Sequence, residues 1–234
     1  MRRRWLEALA VAAALGGTAA VADAQGGKAA PAVKDWTRTV VVTPEGGFRM
    51  GNPNAAVKLV EYGSLTCPTC ARFSNSAKAP LAAHVRSGKV SFEFRNFVLN
   101  GIDATASLIA RCAGPAGFFR VTESFYATQG QWTAKLSGLS QSQQDAINAV
   151  PEEQRLGKVA DAAGLTQLAA QAGVPPQKAK ACLADRSALD RLAQMHDAAS
   201  ALGVQGTPTF LINGKVVHAH DWAELQPLIR KAGG

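Results

Sequence analysis

Apolar residues along this chain change rhythm several times, and each change predicts a boundary. Arg2, Arg3 and Arg4 open a segment whose stretch from Leu6 to Val21 is mostly Ala, Leu, Val and Gly, followed by Ala22-Asp23-Ala24. A basic start, an apolar middle and a small-x-small end are the layout of a secretory signal peptide, residues 1–24, with the cut expected after Ala24. Residues 25–35 (QGGKAAPAVKD) read as a flexible tether. The β-branched run Thr37–Thr43 predicts a strand, and Pro44-Glu45-Gly46-Gly47 a turn. Val57–Tyr62 (VKLVEY) predicts a second strand, apolar enough for a sheet interior. Ala71–Val85 predicts a helix bent at Pro80, and Val90–Val98 alternates as a third strand.

From Asp103 to Leu202 the period lengthens to three and four residues, in a stretch rich in Ala, Gln, Leu and Lys. Breaks at Gly114-Pro115, Gly130, Pro151, Gly164 and Pro175-Pro176 divide it into five or six short helices. Strand character returns at Thr209–Ile212, and the Asn213-Gly214 turn with Lys215–Ala219 predicts a hairpin. Asp221 is placed to cap a final helix through Leu225, Leu228 and Ile229. The order is strand–helix–strand, a helical block, then hairpin–helix: a small sheet interrupted by about 100 helical residues.

Composition narrows the class. With 47% hydrophobic and 18% charged residues in 234, the chain can build a core, and disorder is not expected. Four cysteines are too few for a fold held by disulfides, so each must be explained separately. The net charge of +8 comes from scattered Lys and Arg that form no run outside the leader, and no nucleic-acid partner is expected. No later segment approaches 18 uninterrupted apolar residues, so the processed chain is expected to be soluble in an exported compartment, where disulfides persist.

Cys67-Pro68-Thr69-Cys70 sits where a predicted strand ends and a helix begins. Two intervening residues let the sulfurs close a small ring across the first helical turn. Free amides and the partial positive charge at a helix start stabilise a thiolate on the first cysteine, and Pro68 costs little there. The pattern is that of a redox pair. A zinc half-site would need a second close pair, whereas Cys112 and Cys182 stand alone. A passive staple would gain little from so small a ring. His218 and His220 lie two apart on a predicted strand without a third ligand, so no metal is expected; His84 and His196 fall on predicted helices as surface residues.

Gly206-Thr207-Pro208-Thr209-Phe210 reads locally as a strand-initiating proline, and local sequence does not favour a cis bond. Taken together, Glu61-Tyr62-Gly63-Ser64-Leu65-Thr66-Cys67-Pro68-Thr69-Cys70, Arg95-Asn96-Phe97, Gly206–Phe210 and Asn213-Gly214-Lys215 resemble the DsbA-like thiol:disulfide oxidoreductases over about residues 36–234. The resemblance implies an α/β, thioredoxin-like fold interrupted by an all-helical insertion domain. Its first part would be 36–102, the insertion 103–202 and the second part 203–234. It implies Cys67 as nucleophile, Cys70 as buried resolving cysteine, Pro208 as a cis-proline facing them and Thr207 as a backbone contact for extended substrate. Glu61 matches an acidic position in that family: either a proton relay beneath the pair or an exposed or salt-bridged carboxylate. Cys112 and Cys182 are read either as a structural disulfide or as two buried thiols.

Position 69 departs from the family, many of whose members carry His there. A neutral Thr adds no positive charge near the thiolate, so a weaker oxidant is expected. The resemblance implies a periplasmic enzyme that introduces disulfides into exported cysteine-containing proteins. It would have no cofactor beyond its own disulfide, be a monomer, and be reoxidised by a quinone-linked membrane protein. The alternatives are a reductase or isomerase on the same fold, or an exported soft-metal binder using the same cysteines. Isomerases of this kind usually carry an N-terminal dimerisation domain, for which residues 25–50 are too short.

Overall fold

The computed structural model describes residues 34–234; the expected leader, its cleavage point and all but the end of the tether lie outside the described residues. Asp35 accepts a bond from the Thr37 amide at 3.0 Å and caps a short 3-10 turn, Trp36–Arg38. That turn takes the start of the strand expected from Thr37, leaving β1 as Val40–Val42. The chain then forms β2 (Phe48–Gly51), β3 (Val57–Gly63), α1 (Pro68–Arg86) and β4 (Val90–Asn96). The sequence reading missed β2. It is four residues long and ends at Gly51, whose φ of +118° suits glycine, so it shows no alternation to read. Helix α1 starts three residues earlier than expected and runs on through Pro80.

The helical block holds eight helices, two or three more than expected: α2 (Gly101–Cys112), α3 (Gly114–Ala127), α4 (Gln129–Ser137), α5 (Gln141–Asn148), α6 (Glu152–Ala163), α7 (Leu165–Gln171), α8 (Pro176–Leu183) and α9 (Arg186–Ala201). Breaks at Gly114 and Gly164, both at positive φ, and at Pro151 and Pro175 fall as read. Gly130 is inside α4; the break is at Thr128. The additional starts come from side-chain caps: Ser140 forms a capping box with Gln143, and Asp185 accepts from the Ala188 amide. The chain closes with β5 (Thr209–Ile212), β6 (Lys215–Val217) and α10 (Trp222–Lys231), which Asp221 caps.

The sheet order is β1-β2-β4-β3-β5-β6. Only β3 and β4 are parallel, in register from Val57 opposite Val90 to Gly63 opposite Asn96; β5 runs antiparallel to β3 with Glu61 opposite Phe210. Strand β3 is central and buried on both faces. Alternation sends Leu59 and Glu61 to one face and Val60 and Tyr62 to the other. The first face packs with Phe73, Ala77, Leu81 and Val85 of α1 and Phe118 of α3; Phe73 and Phe210 meet at 4.6 Å between ring centroids. The second collects Val60, Tyr62, Phe97, Ala199 and Val204, so the end of α9 covers the sheet.

Within the block, Cys112 at the end of α2 is bonded to Cys182 in α8, with Cα atoms 6.0 Å apart and a sequence separation of 70. Closing a loop of that length restricts the unfolded chain. The double variant Cys112→Ala/Cys182→Ala is expected to lose about 2–4 kcal/mol of unfolding free energy. Urea melts test this, and denatured, fully oxidised parent should titrate no thiols.

Candidate active site

β3 delivers the chain to Gly63, and Ser64-Leu65-Thr66 turn it into α1. A side chain at Gly63 would collide with the Phe94 ring, so the close approach of β3 and β4 requires glycine there. The turn is buried, Ser64 and Leu65 completely, so its polar backbone groups need internal partners. The helical block supplies them. Asp103 of α2 accepts from the Leu65 amide at 2.8 Å, the Leu99 amide at 3.0 Å and the Ser107 hydroxyl at 3.3 Å. Tyr126 of α3 donates its hydroxyl to the Ser64 carbonyl at 3.0 Å. Gln129, first residue of α4, donates to the carbonyls of Leu65 at 2.8 Å and Cys67 at 3.0 Å.

These three positioning residues were not found from sequence. Tyr126 and Gln129 look like ordinary members of apolar and polar helix faces. Asp103 gave one signal, a polar pair with Asn100, which caps α2 by accepting from the Asp103 amide at 2.9 Å. Asp103→Asn puts an amide NH2 against backbone donors and is expected to cost about 2–4 kcal/mol of stability; denaturant unfolding measures it.

Cys67 is the N-cap of α1, Pro68 occupies the first turn, and Cys70 follows inside the helix. Both cysteines are free thiols, 8% and 0% exposed. The Cys70 amide donates to Cys67 Sγ at 3.4 Å, and the Cys67 thiol donates to the Thr207 carbonyl at 3.3 Å. The Thr207–Pro208 peptide is cis, and β5 starts at the next residue. The loop before β5 and the start of α1 thus meet across 140 residues of sequence.

The two sulfurs are electrostatically unequal. The Cys67 thiol is brought down to about 5, chiefly by a hydrogen bond from Cys70 that outweighs partial burial. The Thr207 side chain and the amides of Cys70 and Thr69 add to the effect. Burial pushes the Cys70 thiol far above its ordinary value, and the hydrogen bond to Cys67 and the charges of Glu61 and Cys67 push it further. The two directions favour a thiolate at Cys67, which keeps a small exposed area, and a protonated thiol at the fully buried Cys70.

Glu61 lies beneath this pair on β3, 2% exposed. Of its two sequence readings, the exposed or salt-bridged one is excluded by that burial and by the lack of a basic partner among the described residues. Burial, with a smaller contribution from the Cys67 charge, pushes its carboxyl up to about 8. The structure therefore brings together Cys67, Cys70, Thr207, Pro208 and Glu61, and leaves Cys112 and Cys182 apart in the helical block. No group of three His, Cys, Asp or Glu side chains suited to a metal occurs among the described residues. β6 ends at Val217, before His218; His220 instead contacts Glu224 at 3.3 Å. His196, expected at the surface, is half-buried and stacks on Phe97 at 4.3 Å. No helix among the described residues is long and apolar enough to cross a membrane.

A family model described as Thioredoxin matches residues 43–231. The crystal structure of a protein-disulfide isomerase from Novosphingobium aromaticivorans is 32% identical, with a TM-score of 0.73, over 80% of this chain and 97% of that one. Wolbachia pipientis alpha-DsbA1 shares the fold at 19% identity and a TM-score of 0.62, over 82% of this chain and 93% of its own. Among curated proteins, a Rickettsia bellii chain named as a protein-disulfide oxidoreductase is 26% identical over 204 residues, 86% of this chain and 70% of that one. The chain spans 60% and 52% of the length of two further Rickettsia relatives of that name.

Proposed function

We propose, on the premise that this chain belongs to the thioredoxin family, that it is an exported protein thiol:disulfide oxidoreductase working through Cys67 and Cys70. The observation that carries this reading is the geometry of an unequal pair: Cys67 caps the helix start, with its sulfur bonded by the Cys70 amide and beside the Thr207 carbonyl, and Cys70 is fully buried behind it. In the oxidised enzyme a substrate thiolate attacks Cys67 Sγ and breaks the Cys67–Cys70 bond. Cys70 leaves as a thiolate and takes up a proton, which Glu61, still protonated below about pH 8, is placed to give. A second substrate thiolate then attacks the mixed disulfide. It releases oxidised substrate and the Cys67 thiolate, a good leaving group because its pKa is low. Two electrons pass from two substrate sulfurs to two enzyme sulfurs, and no further group is needed.

Substrate is proposed to lie extended along Thr207-Pro208 and to bond through its main chain, an arrangement tolerant of sequence. The likeness to DsbA-type proteins and the basic–apolar leader in the sequence support exported cysteine-containing proteins as substrates and the periplasm as location. They also support a monomer, reoxidation by a quinone-linked membrane protein, and division into thioredoxin-like parts 36–102 and 203–234 around an insertion at 103–202. The test is stoichiometric: oxidised protein mixed with a reduced two-cysteine peptide should yield one peptide disulfide and two enzyme thiols per chain. Unchanged peptide would overturn the reading.

The isomerase name of the Novosphingobium relative favours a second reading, in which the dithiol form attacks wrongly paired substrates. Reduced protein that rescues a scrambled substrate faster than oxidised protein oxidises a reduced one would select it.

Position 69 tunes the couple. Thr69 is half-exposed, and its hydroxyl accepts from Arg72 at 2.9 Å. Arg72 thus brings a guanidinium to the Thr69 hydroxyl, a contact the sequence reading did not identify. Thr69→His is expected to raise the reduction potential by about 30 mV for each tenfold gain in stability of the reduced form. Redox titration against glutathione measures it, and an unchanged potential would remove position 69 from the account.

A further inference from the structure

Below the Cys67 turn, α1, α3 and the sheet enclose a cavity of about 200 Å³. Its walls are largely the rings of Phe73, Phe92, Phe94, Phe119 and Tyr126. Two polar atoms of lining residues have no hydrogen-bond partner among the described residues: Glu61 Oε1 and Thr122 Oγ1. Their residues are 2% and 4% exposed and come from different walls, β3 and α3.

The Thr122 hydroxyl is unusual within this protein. Thr105, Thr128 and Thr133 also lie in or at the ends of helices, and each turns its hydroxyl back to the carbonyl four residues earlier, at 2.8, 2.9 and 2.7 Å. That is the ordinary way to satisfy a helical threonine. Thr122 makes no such bond to Phe118. Buried polar groups without partners are rare in folded proteins, and two of them lining one aromatic cavity is the composition of a small-molecule site, apolar walls with a few convergent polar groups. The lining also includes the exposed Lys78, paired with Glu123 at 2.9 Å, and the exposed Arg86, paired with Asp35 at 3.7 Å.

We propose that this cavity binds a small neutral aromatic molecule carrying a hydroxyl or carbonyl group, held between Glu61 and Thr122. Size supports one or two rings, since an apolar cavity of roughly 150 Å³ accommodates benzene. A phenolic hydroxyl can donate to one anchor and accept from the other. An anion is rejected between the two anchors, because its charge would be buried beside the Glu61 carboxyl, while the basic lining residues Lys78 and Arg86 are exposed and already paired with Glu123 and Asp35. Glu61 also ties the site to the cysteines above it, since a molecule bonded to its carboxyl alters a group whose ionisation is coupled to the sulfurs. That consequence rests on the redox reading proposed above; the binding does not.

The test uses phenol, toluene and benzoate with oxidised, isotope-labelled protein, following backbone amide shifts. Phenol should give saturable shifts clustered at Ala77, Thr122 and Glu123, with a Kd of about 1 mM for so small a ligand. Toluene should bind at the same amides more weakly, and benzoate should not bind. Thr122→Val keeps the shape and removes the hydroxyl, and should weaken phenol about fivefold while leaving toluene within about twofold. Ala82→Phe, at a half-buried lining position, should weaken both. Absence of saturable shifts, shifts scattered over the surface, or phenol affinity unchanged in both variants would overturn the proposal; a cavity that holds only water gives the first result. None of these readouts involves the cysteines. Protein that binds phenol but transfers no disulfide would therefore defeat the redox reading alone, and the converse result would defeat this one alone.

Discussion

Cys70→Ser stalls the protein as a covalent complex with its substrate, whereas Cys67→Ser leaves it unable to react at all. The two cysteines differ in access and in charge. Cys67 is at the helix start with its thiol held near 5, and Cys70 is buried behind it with its thiol pushed well up. In Cys70→Ser the remaining Cys67 thiolate still attacks a mixed-disulfide reagent or an oxidised substrate. The group that would attack in turn and release the product is now a hydroxyl, far too weak a nucleophile at neutral pH. A stable adduct is expected, visible as a mass increase that dithiothreitol reverses. In Cys67→Ser the surviving thiol is inaccessible and protonated, so the loss should exceed about a thousandfold in disulfide transfer. Serine is close to cysteine in size, so at pH 5, where the Cys67 thiolate adds little stability, both variants should melt near the reduced parent. If Cys70→Ser turns over, or if Cys67→Ser retains a tenth of parent activity, the assignment of roles is wrong.

Glu61→Gln makes the oxidised protein markedly more stable at pH 8 while leaving it unchanged at pH 4. The carboxyl is held up to about 8 against an ordinary 4.5, principally by burial. Between those values the unfolded chain has released the proton and the folded chain keeps it, so stability falls as pH rises. At about 1.4 kcal/mol per pH unit the loss by pH 8 is about 3–5 kcal/mol. Glutamine is neutral, isosteric and free of this slope. The dithiol protein adds an opposing one. Cys67, at about 5 against an ordinary 9.0, is ionised when folded and protonated when unfolded, which stabilises the reduced form as pH rises from 5 to 9. The reduced parent should therefore be nearly flat from pH 5 to 8, and reduced Glu61→Gln should gain stability over that range. Urea midpoints for both redox forms of both proteins give four curves. Coincident curves for oxidised parent and variant would show that Glu61 is ordinarily ionised. The exchange rate of the variant should also lose its titration near pH 8 if Glu61 relays the proton.

Much of this arrangement could be read from short-range pattern. The central strand Val57–Gly63 announced itself by apolar content, the redox turn by two cysteines at a strand–helix junction, and the closing hairpin by Asn213-Gly214. The failures have a common physical origin. Strand β2 is fixed by pairing with β4 rather than by its own residues, as Phe48 opposite Phe94 illustrates. The splitting of the helical block depends on caps at Ser140 and Asp185, on faces too polar to show a period. Asp103, Tyr126 and Gln129 hold the redox turn through bonds that span 38, 62 and 64 residues. No local pattern marks a side chain whose partner is a distant backbone group. The helical block, read from sequence as an interruption of the sheet, is thus also the support of the site.

Hydrogen bonds to Cys67 at the helix start, the one from Cys70 first, make Cys67–Cys70 an oxidising couple, because they stabilise the reduced form through its thiolate against the opposing effect of burial. Its reduction potential is the direct test, measured by equilibrating the protein in glutathione buffers and quantifying the two redox forms. A value between about −220 and −120 mV is expected, well above the roughly −270 mV of thioredoxin. A value at or below that of thioredoxin would contradict it, and would assign the same two sulfurs to reduction.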